Sequence, residues 1–252
     1  MAETGRTIIW DFEGTLAMRP GRFTGALVKA VRLLDPKLAM SEDEIRPHLG
    51  GGFPWHQREL RHDFAGRPDR WWDNLQSVSA SALKTLGLSD ELAAKAAVLA
   101  RSVYLDARQW TCMEGATQTL DVLSSRGWRH VVMSNFAPEL DGIITALGLA
   151  NRISKTFSSG QVGLEKPNRA YFEHVLDSIA PEKAIFMIGD NPKADIAGGR
   201  NAGLKTILVG SVDPTADFNV PKLVDILTLP DLSSDIDHGT FITKENQRHA
   251  SI

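Results

Sequence analysis

The most informative segment of the sequence is Thr7-Ile8-Ile9-Trp10-Asp11-Phe12-Glu13-Gly14-Thr15-Leu16. In it, a short apolar run ends at a carboxylate, that of Asp11. A run of this length, followed by turn residues, is typical of a buried strand in a parallel sheet. Ligands of open α/β sheets bind beyond the carboxyl ends of the strands. We therefore expect Asp11 at that edge, as a nucleophile or a metal ligand. The alternative is a strand that ends in an ordinary turn with a solvated glutamate, and this segment alone does not decide between the two.

The composition is that of an ordinary globular protein and narrows the functional classes. The chain has 252 residues, of which 42% are hydrophobic and 23% charged, enough for one large domain or a domain with an insert. A net charge of −3 gives no electrostatic reason to expect nucleic acid or membrane as a partner. Cys112 is the only cysteine, which excludes an internal disulfide and a cysteine-based zinc cluster. The N-terminal residues are polar and no apolar run has membrane-spanning length, so we expect a cytoplasmic protein.

Residues 17–110 have the pattern of consecutive helices, with no strand among them. Apolar residues recur at helical spacing from Phe23 to Leu34 and again from Leu75 to Leu86. Ser41-Glu42-Asp43-Glu44 fits a capping box, and Ser89 is placed to cap a further helix. This part of the chain is expected to form an all-helical unit.

From Met113 onwards, helices alternate with short apolar strands, which indicates a doubly wound parallel sheet. Residues 193–202 are predicted to form a helix that ends at Gly203. The polar stretch 233–252 lacks periodicity and is predicted to be a loose tail. The expected strands contain His130–Met133, Thr156–Phe157, Ala184–Ile188 and Thr206–Val209.

The helical unit also contains a basic and aromatic segment that could recognise an anion. Its arginines could bind a carboxylate or phosphate, although arginines on a helix are usually only solvated. The histidines at positions 48, 56 and 62 lack a metal-ligand spacing, and the Gly50-Gly51-Gly52 turn lacks the lysine of a phosphate-binding loop. The candidate substrate-binding arginines are Arg58, Arg61, Arg67 and Arg70.

Polar side chains follow several of the predicted strands, where each strand ends. Parallel strands bring their carboxyl ends to one edge, so these groups should meet there. Clustered acids imply a hard cation with oxygen ligands, for which Mg²⁺ fits best, and a lysine and a hydroxyl beside it suit a phosphoryl group. The residues are Asp11, Glu13, Ser134, Asn135, Lys166, Asp190 and Asp195.

Four sequence segments that contain these residues resemble, in their order along the chain, the haloacid dehalogenase (HAD) superfamily. The resemblance is to the branch with a helical cap inserted after the first strand. The resemblance covers residues 6–232 and implies a Rossmann-like core of residues 1–16 and 111–232, with a cap of residues 17–110. The matching segments are Asp11-Phe12-Glu13-Gly14-Thr15-Leu16, Val132-Met133-Ser134-Asn135, Lys166-Pro167 and Gly189-Asp190-Asn191-Pro192-Lys193-Ala194-Asp195.

The resemblance also implies a phosphatase and a role for each matched residue. Asp11 would attack phosphorus and form an aspartyl-phosphate. Ser134, helped by Asn135, would bind the phosphoryl oxygens, and Lys166 would neutralise their charge. The implied ligands of Mg²⁺ are Asp11, the backbone carbonyl of Glu13, Asp190 and, directly or through other ligands, Asp195.

Glu13 departs from the family's pattern, which has a second aspartate at this position. The added methylene leaves the role of general acid and base open. We expect a phosphatase of a small phosphorylated metabolite, monomeric or homodimeric. The alternative is a protein of this fold with weak or no turnover that binds a phosphorylated ligand or a partner protein. Dehalogenation, phosphoryl mutase chemistry and C–P bond cleavage are less favoured.

Overall fold

The computed structural model describes residues 5–64 and 66–233. Eight strands are present in this part of the chain: β1 (Arg6–Trp10), β2 (Ala17–Met18), β3 (Thr111–Cys112), β4 (Trp128–Ser134), β5 (Lys155–Ser158), β6 (Lys183–Gly189), β7 (Lys205–Val209) and β8 (Phe218–Val220). Six of them form one parallel sheet in the order β5-β4-β1-β6-β7-β8. The doubly wound α/β fold predicted from the sequence is therefore confirmed.

Helices cover both faces of the sheet and fill the long connection between β2 and β3. Alternate residues of the central strands pack into separate apolar layers: Ile8 and Trp10 belong to one cluster and Ile9 to the other. The α-helices are α1 (Arg22–Leu34), α2 (Glu42–Ile45), α3 (Pro68–Thr85), α4 (Asp90–Leu105), α5 (Ala116–Ser125), α6 (Leu140–Ala146), α7 (Ser159–Val162), α8 (Arg169–Ile179), α9 (Gly198–Asn201) and α10 (Pro230–Ser233).

A two-stranded antiparallel ribbon joins the helical insertion to the sheet. In it, Ala17 of β2 pairs with Cys112 of β3, and Met18 pairs with Thr111. The prediction that residues 17–110 contain no strand was wrong here, because a two-residue strand is too short to produce an alternating pattern. Helices α1 to α4 all lie between the two strands of this ribbon in the sequence. The assignment of residues 17–110 to a separate cap stays a prediction.

Other local expectations have mixed outcomes. The capping box at Ser41 is present, with Glu44 bonded to it through both side chain and backbone. The helix expected over residues 193–202 instead begins as a π-helical turn, Pro192–Ala197, and becomes α-helical only in α9. Asn191 caps the N-terminus of this turn, and its side chain accepts hydrogen bonds from two backbone N–H groups. Strand β8 was not predicted, because three residues are too few to produce a recognisable alternating pattern.

Ser233, the first residue of the predicted tail, belongs to α10. Residues 234–252 lie outside the described part of the chain. Among the described residues, no helix combines the length and the apolar character that a membrane crossing requires.

His130 in β4 is a buried histidine whose two ring nitrogens already have partners. Trp10 Nε1 donates to His130 Nδ1 over 3.0 Å, while Nε2 lies 3.1 Å from the carbonyl oxygen of Leu120. This pattern requires a neutral ring with its proton on Nε2. A second proton on Nδ1 would face the Trp10 N–H, and burial lowers the pKa of His130 to about 4.

We predict that His130 makes the protein less stable as the solution is acidified. In the unfolded chain, His130 has a pKa near 6.5, so it binds a proton as the pH falls below that value. In the folded protein, the ring binds this proton only near pH 4. Its stabilising contribution is therefore present above pH 6.5 and should fall by up to about 2 kcal/mol by pH 5. The measurement is the free energy of unfolding of wild type and His130→Asn between pH 7.5 and pH 5. The wild type should lose more stability than the variant, and parallel curves would contradict the prediction.

Candidate active site

Asp11 lies immediately after β1, with its carboxylate held by groups from two other parts of the chain. Its Oδ1 atom accepts a hydrogen bond from Ser134 Oγ at 3.0 Å and from Lys166 Nζ at 2.7 Å. Thr15 Oγ1 lies 3.4 Å from the other oxygen, Oδ2. Asp11 is only 6% exposed, yet it lines an open cleft. A carboxylate that is oriented in this way and still accessible is suited to act as a nucleophile.

The Lys166 ammonium is the buried cation of the site. It contacts Asp195 Oδ1 at 2.6 Å as well as Asp11, and its side chain is 2% exposed. Burial alone would lower the pKa of Lys166, but the charges of Asp11 and Asp195 outweigh burial and raise that pKa. Lys166 therefore stays protonated and neutralises charge beside Asp11.

The side-chain amide of Asn135 forms hydrogen bonds with the backbone of Lys166. Its Nδ2 donates to the Lys166 carbonyl at 3.0 Å, and its Oδ1 accepts from the Lys166 N–H at 2.6 Å. The side chain of Asn135 thus fixes the loop that carries the lysine. Its predicted contact with substrate stays a prediction, although Asn135 does line the cleft.

Three aspartates form the group that could hold a metal ion: Asp11 follows β1, Asp190 follows β6, and Asp195 lies in the π-helical turn after it. Oxygens of Asp11, Asp190 and Asp195 lie within 4.8 Å of one another. Burial, and after it the charge of Asp11, raises the pKa of Asp190, because a further negative charge is unfavourable at this site. A carboxylate-oxygen set of this kind fits a hard cation such as Mg²⁺.

Small residues let these acids approach the backbone closely. Gly14 has a φ of 104°, and a Cβ there would lie 2.3 Å from Asp190 Oδ2. A Cβ on Gly189 would meet the Asp195 carboxylate at 2.1 Å. Asp195 also accepts from the Asn191 N–H at 3.0 Å, which fixes its orientation. The acidic cluster therefore requires both glycines.

Glu13 reaches the cleft and is bound from the helical insertion. Tyr104 Oη donates to Glu13 Oε2 at 3.2 Å. The other oxygen, Oε1, has no hydrogen-bond partner among the described residues. Burial raises the pKa of Glu13 to about 7, against the opposing effects of Arg22 and Tyr104. A carboxyl with such a pKa can both donate and accept a proton near neutral pH.

The cleft above Asp11 has a volume of about 580 Å³ and lies between the sheet edge and the helical insertion. Of the four arginines predicted to bind substrate, Arg58 lines it. Arg61, Arg67 and Arg70 are exposed and do not line it, and Arg70 pairs instead with Asp63. The predicted segment therefore contributes one arginine to the cleft, because the others lie on its solvent side.

Sequence reasoning missed two further arginines and the tyrosine at the site. Arg22 NH2 lies 3.1 Å from Asp190 Oδ2, and Arg46 lines the cleft while pairing with Glu42. Arg22 is the first residue of α1 and follows Gly21, a glycine that could have indicated a turn at this point of the sequence. Nothing in the sequence near Tyr104 pointed to position 13, because the two residues meet only through the tertiary fold.

Comparison with known sequences reveals relatives that are similar over part of their length. The chain is 31% identical to human haloacid dehalogenase-like hydrolase domain-containing protein 3 over 170 residues, and the matched region covers 65% of each chain. It is 31% identical over 137 residues to the phosphoserine phosphatase of Thermus thermophilus, which is 53% of each. For the glyceraldehyde 3-phosphate phosphatase of Methanothermobacter thermautotrophicus, the identity is 33% over 46% of this chain and 54% of the relative. The matches thus span less than two thirds of these relatives.

Solved structures share the fold at lower sequence identity. The magnesium-bound HAD-hydrolase YfnB of Bacillus subtilis superposes with a TM-score of 0.69 and 22% identity, over 90% of this chain and 98% of that one. The HAD phosphatase of Thermococcus onnurineus gives 0.59 and 18%, over 88% and 96%. The L-2-haloacid dehalogenase of Xanthobacter autotrophicus gives 0.61 and 20%, over 88% and 97%. These similarities show the fold alone.

The family model of the haloacid dehalogenase-like hydrolases matches residues 6–203, which include every strand end of the candidate site. The match, the parallel sheet and the geometry around Asp11 agree with the resemblance seen in the four sequence segments. The chain belongs to the haloacid dehalogenase-like hydrolases.

Proposed function

We propose that this hydrolase is a Mg²⁺-dependent phosphatase that acts on a small phosphorylated metabolite through an aspartyl-phosphate on Asp11. The observation that carries the proposal is the Asp11 carboxylate, bonded to Ser134 and Lys166 at the open edge of the sheet. An oriented nucleophile beside a buried ammonium suits the transfer of a negatively charged phosphoryl group. The phosphatases among its relatives support this choice of substrate class.

The proposed reaction has two steps. In the first, an oxygen of Asp11 bonds to phosphorus as the P–O ester bond breaks, and Glu13 gives its proton to the leaving oxygen. In the second, Glu13 takes a proton from water, whose oxygen bonds to phosphorus. The bond from Asp11 to phosphorus then breaks, which releases inorganic phosphate and restores both carboxyl groups. Ser134 and Lys166 hold the phosphoryl oxygens and neutralise their charge throughout.

The metal in this proposal would be held by the acids around Asp11. Asp11, Asp190 and the backbone carbonyl of Glu13 would be ligands, with Asp195 close enough to contribute an oxygen. When bound, Mg²⁺ supplies positive charge that orients and neutralises the phosphoryl group. Without it, the Lys166 ammonium and the Arg22 guanidinium would face three carboxylates and a phosphate.

The first test of the proposed function concerns the metal. We expect hydrolysis of an aryl phosphate to require added Mg²⁺, and we expect Asp190→Ala to abolish both turnover and the Mg²⁺ response. Asp177→Ala, which removes an exposed acid on α8, is the matched control and should keep both. The measurement is turnover during Mg²⁺ titration, and full activity in excess chelator would contradict the proposed metal dependence.

Arg58 is the residue we propose for recognition of the leaving group. Its Nε donates to the Trp55 carbonyl at 3.2 Å, and its own carbonyl accepts from Asn168 Nδ2 at 2.9 Å. Asn168 follows Lys166 closely in the sequence, so the loop of the catalytic lysine also anchors Arg58. Within residues 5–64 and 66–233, no carboxylate forms an ion pair with Arg58, which leaves its guanidinium available to an anion.

We predict that Arg58→Ala raises KM by about tenfold for a phosphate ester whose leaving group carries a carboxylate or a second phosphate. The reason is the loss of a charge-assisted hydrogen bond, and tenfold corresponds to about 1.4 kcal/mol. KM for an uncharged aryl phosphate should change much less. Arg61→Ala, from the exposed part of the same segment, is the control. Equal effects of Arg58→Ala on both esters would show that Arg58 does not recognise an anionic leaving group.

The cytoplasmic location and the monomeric or homodimeric state expected from the sequence stay predictions.

A further inference from the structure

Tyr104 is a buried residue of the helical insertion whose hydroxyl group is directed to the catalytic acid. It lies near the end of α4 and is 4% exposed. Its Oη donates to Glu13 Oε2 at 3.2 Å, the one hydrogen bond this hydroxyl makes within the described residues. No other side chain in that part of the chain donates a hydrogen bond to Glu13. The contact therefore joins residues 91 positions apart.

The ring of Tyr104 is held in place by other aromatic residues. Its centroid lies 5.6 Å from that of Phe23, 5.5 Å from Trp110 and 5.4 Å from Phe136. Trp110 Nε1 also donates to the Tyr104 carbonyl at 2.9 Å. Such packing leaves the side chain little freedom to rotate, so the position of its hydroxyl group is defined.

The same aromatic cluster fixes the backbone that carries Glu13. Phe12, the preceding residue, lies 5.5 Å from Trp110 and 5.4 Å from Phe136, measured between ring centroids. Both ends of the Tyr104–Glu13 hydrogen bond are thus attached to one rigid group of rings. A residue at position 13 that is one methylene shorter would not reach the hydroxyl from the same backbone position.

The two oxygens of Glu13 have different surroundings. Oε2 is bound by Tyr104, whereas Oε1 has no partner among the described residues and belongs to a side chain that lines the cleft. Arg19 lies over the Tyr104 ring at 5.5 Å and Arg22 lies nearby, so positive charge surrounds the pair. One oxygen is therefore anchored by Tyr104, and the other is buried beside the cleft with its hydrogen-bonding capacity unused.

We infer that Tyr104 is a positioning residue that holds the longer arm of Glu13 in the place required for proton transfer. The site is accordingly built around glutamate and is not an aspartate site impaired by substitution. A misplacement of about 1 Å can cost about a hundredfold in rate, which is the error that an untethered extra methylene would introduce. This inference rests on the proposed phosphatase function.

The test compares two esters that differ in their need for a proton. An alkyl ester such as propyl phosphate requires protonation of its leaving oxygen, whereas 4-nitrophenyl phosphate requires much less. We expect Tyr104→Phe to lower kcat/KM at least about ten times more on the alkyl ester than on the aryl ester. Glu13→Gln should lower it on the alkyl ester by roughly 10²–10⁴. In the Glu13→Gln background, Tyr104→Phe should cause no further selective loss.

Tyr171→Phe is the matched control, because it also removes a buried tyrosine hydroxyl. That hydroxyl donates to the backbone carbonyls of Ser134 and Phe157 and does not contact Glu13. Any loss in this control should be equal for the two esters, since it would come from the lost backbone hydrogen bonds and not from Glu13. An equal loss on both esters in Tyr104→Phe would overturn the inference.

Glu13→Asp tests the same inference with Tyr104 intact, so it remains decisive even if Tyr104→Phe does not fold. We expect a selective loss on the alkyl ester, and a gain in kcat/KM would overturn the inference. If the wild type hydrolyses the aryl ester but these variants show no selectivity, only the role of Tyr104 is wrong. If the wild type hydrolyses neither ester with Mg²⁺, the proposed function is wrong and the inference falls with it.

Discussion

The shared ion pair of Lys166 with Asp11 and Asp195 is the interaction on which the rest of the site depends. The side chains of Lys166 and Asp195 are nearly inaccessible to water, with exposures of 2% and 1%, and that of Asp11 keeps 9% where it meets the cleft. Carboxylates buried this deeply would repel each other and lose hydration without a cation between them. Removing one member of a buried ion pair typically costs about 3–5 kcal/mol, because it leaves an uncompensated charge. The lysine therefore compensates the charge of the buried carboxylates and also holds the loops of the site together.

The strand order explains how these groups come to lie close together. Strand β1 lies between β4 and β6, so Asp11 is flanked by Ser134 on one side and Asp190 on the other. Lys166 comes from a loop, which Asn135 fixes through two hydrogen bonds to its backbone. The sheet thus positions the acids and the hydroxyl, and one amide side chain positions the ammonium. The helical insertion adds Tyr104, whose hydroxyl donates a hydrogen bond to Glu13.

Much of this architecture could be predicted from the sequence, because its signals are local. Asp11, Ser134 and Asp190 each follow a short apolar run, and a parallel sheet necessarily brings such strand ends to one edge. The capping box at Ser41 could be read in the same way, since all of its contacts lie within four residues. The acidic cluster followed from the topology and from the charge of its members.

The features that could not be predicted depend on contacts between distant parts of the chain. Strands β2 and β3 are too short for a periodic signal and become recognisable only when they pair. Arg58 could not be distinguished from Arg61 by sequence, because both lie in the same basic segment and only the fold determines which one faces the cleft. The partner of Glu13 was hidden for the same reason, since Tyr104 is an ordinary apolar position of an amphipathic helix until the aromatic cluster forms.

Asp11 is the residue that we propose to accept the phosphoryl group, and acid trapping of the reaction is the direct test of this role. The protein is mixed with 4-nitrophenyl phosphate and Mg²⁺, quenched with acid and digested, and its peptides are analysed by mass spectrometry. We expect one phosphoryl group on Asp11 in the wild type and none in Asp11→Asn, which should also lack turnover. Sustained turnover by Asp11→Asn, or a trapped phosphoryl group on a different residue, would contradict this role.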